Sequence, residues 1–130
     1  YPTFCPLMDR HFAAIQDVVR ADPDLSHQVH LVSISVDPEY DTPAVLREHA
    51  ATLGADPGLW TFVTGSRDEI DRFAARFGVS IVRGDTPADV AHTLRTAIVD
   101  RDGRLVSVYT GNAWTPDDLV RDLRHATTTR

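Results

Sequence analysis

Val29-His30-Leu31-Val32-Ser33-Ile34-Ser35-Val36, closed by Asp37-Pro38, is a β-rich run that reads as a buried strand. What surrounds it decides the fold. Upstream, Pro6 suits the first position of a helix, where its missing N–H costs nothing. Met8, Phe12, Ile15 and Val19 then recur at helical spacing, and Ala21-Asp22-Pro23 ends the helix. Downstream, Thr42-Pro43 is a cap followed by a first-turn proline. Leu46, Ala50 and Leu53 form an apolar face, and Gly54 stops that helix. Trp60 to Val63 reads as a short strand. Ser66 and Glu69 make a capping box ahead of Ile70, Phe73, Ala74 and Phe77, with Gly78 as the stop.

Residues 80–91 read as a mixed loop. Thr93 to Val99 and Leu105 to Tyr109 are strands joined around Asp102-Gly103, a hairpin signal. Thr115-Pro116-Asp117-Asp118 caps a last helix carrying Leu119, Val120 and Leu123, and residues 127–130 are expected to be a disordered tail. The order α-β-α-β-α-β-β-α implies an α/β fold: a mostly parallel central sheet flanked by helices, ending in a C-terminal β-hairpin. One domain is expected over residues 1–126. A chain that opens with a helix lacks the strand that should feed it. In a βαβ layout that strand precedes Cys5 and lies centrally, so the expectation is a thioredoxin-like domain truncated at its N-terminus.

Composition narrows the function. The chain has 130 residues, 42% of them hydrophobic, enough for one core. A net charge of −6 and a pI near 5.3 argue against nucleic acid as a partner. All 13 basic residues are arginine, which excludes lysine Schiff-base chemistry and a P-loop lysine. No apolar run is long enough to span a membrane. The only cysteine, Cys5, can form neither an internal disulfide nor a four-cysteine zinc site.

Cys5 sits directly before the first helix, where the positive end of the macrodipole favours a thiolate. Asp9, in the first turn, works against that. In open α/β sheets, sites gather beyond the carboxyl ends of the strands, where Cys5 would lie. His92, just before the hairpin strands, can reach the same edge. A thiolate and an imidazole suit copper, the sulfur favouring Cu(I) and the nitrogen accepting Cu(II); the same pair could serve as a nucleophile and its base. The bland alternatives are an inert half-buried thiol and a loop histidine bonded to a carbonyl. Met8 lies one turn from Cys5 but reads as core. His11, His27, His30, His49 and His125 read as surface or half-buried residues. Asp37 reads as a loop cap that, with Glu39, could tune local charge. Trp60 and Trp114 read as packing residues.

Phe4-Cys5-Pro6-Leu7-Met8, Leu31 to Pro38, Asp41-Thr42-Pro43, Trp60 to Gly65, and His92 followed by Ile98-Val99-Asp100-Arg101-Asp102-Gly103 together resemble the Sco/SenC family. The strand ending Ser35-Val36-Asp37-Pro38 with Asp41-Thr42-Pro43 is the most specific piece. The resemblance implies a thioredoxin-like, copper-binding assembly factor for cytochrome c oxidase, more a metallochaperone than an enzyme. Its expected partners are the copper-bearing oxidase subunit and other copper carriers or thioredoxin-like reductases. It also implies an extracytoplasmic, periplasmic location, with a membrane anchor in an N-terminal segment not present here. The family holds copper with two cysteines in Cys-x-x-x-Cys and a distant histidine. Cys5 matches the second cysteine and His92 the histidine. Tyr1 stands where the first cysteine is expected. Either it replaces that cysteine, or the cysteine precedes residue 1. The alternative functions are a thiol–disulfide oxidoreductase acting on oxidase copper-site cysteines, a thiol peroxidase, or a folded relic that only binds partners.

Overall fold

The computed structural model describes residues 6–84 and 90–128, with the backbone alone at 90–92. Helix α1 (Pro6–Ala21) is followed by a four-residue helix α2 (Pro23–Ser26), strand β1 (Leu31–Ile34) and helix α3 (Pro43–Leu53). Strand β2 (Trp60–Val63) and helix α4 (Arg67–Arg76) come next, then the short strands β3 (Ile81–Arg83) and β4 (Val90–His92). Strands β5 (Arg95–Val99) and β6 (Leu105–Thr110) lead to the last helix, α5 (Pro116–Thr128).

Local chemistry explains most of these boundaries. Thr42 Oγ1 accepts the Val45 amide at the start of α3, and Gly54, at φ 70°, closes it in the left-handed region. At α4 the capping box forms in full: Ser66 Oγ accepts the Glu69 amide, and the Glu69 carboxylate accepts the Ser66 amide. Helix α2 was not expected, although its signal is present. Asp22 caps it through the Asp24 amide, and Pro23 takes the first position. Thr127 and Thr128, read as part of a tail, belong to α5, which runs on through Thr128. Thr127 and Thr128 turn their hydroxyls back to the carbonyls of Arg124 and His125, so their polar groups do not compete with the helix.

β1 and β2 pair in parallel, Leu31 opposite Trp60 and Ile34 opposite Val63, with α3 as the crossover. β5 and β6 form the expected antiparallel hairpin, with a register shift at Ile98/Val99. Asp100 holds its turn by accepting the amides of Asp102 and Arg104, each at 2.9 Å. The third ladder corrects the sequence reading. Within the stretch read as loop, β3 and β4 pair antiparallel. Among the described residues, β1–β2 is the parallel pair and both later pairs are antiparallel hairpins.

α1 is the centre of the packing. Ile15 and Val19 are fully buried against Leu25, Leu31, Trp60, Ile98 and Leu119, and Met8 and Phe12 pack against the same cluster. Gln16 on the same helix is also buried. Its amide donates to the Gly54 carbonyl at 3.2 Å and its Oε1 accepts the Asp56 amide at 2.7 Å. Both ends of a side chain that would otherwise be costly to bury are thus satisfied, and α1 is locked to the loop after α3.

Between β1 and β5 lies a groove of about 430 Å³, lined by Phe12, Val32, Ile34, Phe73, Ala97 and Val99 among others. The amides of Leu31 and Ser35 donate to Leu59 and Val63 on the β2 side. By the alternation of a strand, those of Val32 and Ile34 face the groove. No ladder joins β1 to β5 among the described residues. No described helix is long and apolar enough to cross a membrane.

Candidate metal centre

Of the two residues on which the sequence reading placed copper, only the backbone of His92 is described. Cys5 lies outside the described residues. The described chain resumes at Pro6, so the thiol's place in sequence is directly ahead of the α1 N-terminus. Asp9, in the first turn, is buried and accepts a hydrogen bond of 3.0 Å from His49 Nε2 of α3. Burial pushes the Asp9 carboxyl up, while attraction to His49 and its hydrogen bond pull it down; the net direction is up. His49 thus corrects the sequence reading, which took it as a surface or half-buried residue. It is buried, with Phe62 edge-on at 5.6 Å. Its position three residues after Leu46, on the apolar face of α3, carried that signal.

The carboxyl end of β1 is a polar knot. Ser35 Oγ donates to Asp41 Oδ2 at 2.5 Å and accepts the Asp37 amide at 3.0 Å. The Asp37 carbonyl accepts the Asp41 amide at 2.8 Å. These bonds, made by the main chain of Asp37, bend the chain from β1 into the Thr42 cap of α3. Both aspartates are completely buried, at 0% exposure. Burial pushes the Asp37 carboxyl above the usual range, helped by Asp41 and Glu39 and opposed by the Tyr40 amide and the Arg83 guanidinium. Glu39 itself is exposed and pairs with Arg67 of α4.

His92 ends β4, where its register partner is Ile81. The base of this hairpin is closed beside it: the Thr93 amide donates to the Ser80 carbonyl, and the Ser80 amide to Thr93 Oγ1 at 3.1 Å. The other end is held by Arg83. Its Nη1 donates to the Val36 carbonyl at 2.8 Å and its Nη2 to Asp71 Oδ1 at 2.7 Å. Sequence reading missed Arg83, because nothing local distinguishes one of 13 arginines. Met8 and both tryptophans sit in or against the core, as expected. Among the described residues, no group of three or more histidine, cysteine, aspartate or glutamate side chains is arranged to hold a metal ion.

The SCO1/SenC family model matches residues 1–128. The chain belongs to the SCO1/SenC family. This SCO1/SenC chain is 35% identical over 129 residues to the SCO1 protein homolog of Bacillus subtilis. That match takes in 97% of this chain and spans 65% of the length of the curated relative. Among solved structures, BsSco, a member of the Sco family of cytochrome c oxidase assembly proteins with an identified disulfide switch, matches with a TM-score of 0.78 and 33% identity. That match covers 98% of this chain and 74% of BsSco. Bradyrhizobium japonicum ScoI, solved with copper bound, matches with a TM-score of 0.72 and 28% identity over 94% of this chain and 75% of its own. The thioredoxin-like α/β fold read from the order of elements is the fold of these neighbours.

Proposed function

We propose that this SCO1/SenC chain binds copper through the Cys5 thiolate and the His92 imidazole and delivers it by ligand exchange to the copper-bearing subunit of cytochrome c oxidase. The observation that carries this reading is the family match across residues 1–128, which takes in both side chains. The copper-bound ScoI relative and the oxidase-assembly role of BsSco support it. The chemistry agrees: a soft thiolate holds Cu(I) and an imidazole serves either oxidation state, so a site built from both can accept and release the ion as its partner's ligands replace them. The place of Cys5 ahead of α1 favours the thiolate, and His49 engages the one carboxylate in the first turn that opposes it.

The open edges of β1 and β5 suit an extended strand entering just ahead of Cys5. Such a strand, laid parallel to β1, would set the thiol at the carboxyl end of β1. The third copper ligand is either Tyr1 or a cysteine upstream of it. We place the protein on the periplasmic face of the membrane, anchored by a segment outside residues 1–130.

The test is anaerobic Cu(I) titration, with Cu(II) absorption, of the protein and of His92→Ala. One copper per chain, weakened in the variant while the fold is unchanged, is the expected result. Unchanged affinity in His92→Ala rejects the site. The disulfide switch of BsSco favours a second reading, thiol–disulfide exchange. With Cys5 the only cysteine of these 130 residues, exchange here would run through a mixed disulfide with a partner thiol. Absence of copper binding together with ready formation of that mixed disulfide would favour it.

A further inference from the structure

Helix α1 is fastened to α3 and to the loop behind it at two points. Asp9 and Gln16 are seven residues apart, so two turns of helix set them on one face. Both are buried, at 9% and 2% exposure. Gln16 bonds the Gly54 carbonyl and the Asp56 amide, and no group in that anchor titrates. Asp9 accepts from His49 Nε2 at 3.0 Å, and both partners in that anchor titrate. One face of α1 thus carries a fastening that pH does not touch and, nearer its start, one that pH does. The surroundings of the second are dry: His49 is 4% exposed with Phe62 edge-on, and Asp9 lines the apolar groove beside Val32 and Ile34. Among the described residues, other charged groups point elsewhere. On α1, Arg10 and Asp17 are exposed and His11 lies against Trp114, ring centroids 5.0 Å apart. On α3, Arg47 and Glu48 are exposed. The side chains that β1, β2 and α4 bring to the groove around Asp9 are uncharged, and Arg95 of β5, on the same groove, donates to the Leu94 carbonyl.

We propose that the Asp9–His49 pair is a proton-operated latch: protonated, it closes the start of α1 onto α3, and as rising pH strips the pair of its protons that start loosens while the helix beyond Gln16 stays fixed. Burial sets the direction. It raises the Asp9 carboxyl above the ordinary 3.8, against the pull of His49, so the folded state holds this proton more tightly than the unfolded chain does. The contribution of Asp9 to stability is therefore full below pH 3.8 and lost as pH rises through the raised native value. Loss of the imidazole's proton then removes the counter-charge, and a carboxylate is left in apolar surroundings with one hydrogen bond in place of its hydration. Gln16, two turns on, feels none of this, because an amide bonded at both ends keeps its bonds at any of these pH values. The latch stands apart from the copper reading, since Asp9, His49 and Gln16 alone make it.

The experiment is native-state hydrogen exchange of the protein and of Asp9→Asn from about pH 5 to about pH 9. The reporters are the amides of residues 10–13, which bond the carbonyls of the first four helical residues, and those of residues 17–20, beyond Gln16. Rates are corrected for the intrinsic effect of pH and read as protection. Protection of residues 10–13 should fall by about tenfold or more across the range, and that of residues 17–20 by less than about twofold. Asp9→Asn keeps an oxygen that can accept from His49 and removes the carboxyl that titrates, so its early amides should lose most of this pH dependence. Equal loss along the whole helix, or no loss at its start, overturns the proposal. So does an Asp9→Asn profile identical to that of the unchanged protein. Should the variant fail to fold, the His49 ring signals in the nuclear magnetic resonance spectrum of the unchanged protein decide. They should move over the pH interval in which the early amides loosen, and loosening with those signals static overturns the latch.

Discussion

The packing around α1 and the β3–β4 hairpin are held by different physics. α1 is held by apolar burial with satisfied polar ends: Ile15, Val19 and Leu25 at 0–1% exposure, and Gln16 bonded at both ends. Among the described residues, the hairpin is tied by the Ser80–Thr93 bonds at its base and by the guanidinium fork of Arg83. Stability resides in the first region, whereas a residue proposed for copper resides on the second.

The comparison can be broken most severely at the core. Ile15→Ala should destabilise the protein by about 4 kcal/mol, since its side chain is fully buried and the helix around it cannot collapse onto the space. Urea unfolding measures this, and a loss below about 1 kcal/mol would show that α1 is not the centre of the packing. His49→Ala should cost about 3 kcal/mol near pH 7, because it leaves the buried Asp9 carboxyl without its hydrogen-bond donor. The same assay checks it, and a neutral result would mean that Asp9 is already protonated there.

Ser66→Ala should cost about 1 kcal/mol by removing one half of the α4 capping box. By contrast, Arg83→Met should shift the urea midpoint by less than Ser66→Ala does. Asp71, the acid it leaves behind, is 45% exposed and remains solvated. A large global loss in Arg83→Met would erase the distinction between the two regions.

Asp37 sharpens the picture through pH. Its native carboxyl is raised above the ordinary value of 3.8, so the native state binds the proton more tightly than the unfolded chain does. The contribution of Asp37 to stability is therefore full below pH 3.8 and lost as pH rises through the raised native value. Asp37→Asn should flatten that part of the stability–pH curve, measured as urea midpoint against pH. An unchanged slope would show that Asp37 titrates as an exposed acid.

Much of the fold is legible in the order of residues. Thr42-Pro43, Ser66 with Glu69, Gly54 and Asp102-Gly103 each act within a few residues, so their effect can be read from neighbours alone. The β3–β4 hairpin is hidden because Ile81-Val82-Arg83 and Val90-Ala91-His92 are too short to show a period, and each is stable only against the other. His49 and Gln16 are polar residues on an apolar face, and local pattern does not reveal that Asp9, Gly54 and Asp56 await them across the fold.

By itself, the sequence determined the order of helices and strands, the caps that bound them, the family, and Cys5 and His92 as the residues to test. Those are properties of near neighbours and of motif order. Only the tertiary structure decided which polar groups are buried in pairs, where the open groove runs between β1 and β5, and that Arg83 clamps the hairpin carrying His92. Each of these depends on groups far apart in the chain meeting in a dry interior, where an unmatched polar atom is costly and a matched one is fixed in place.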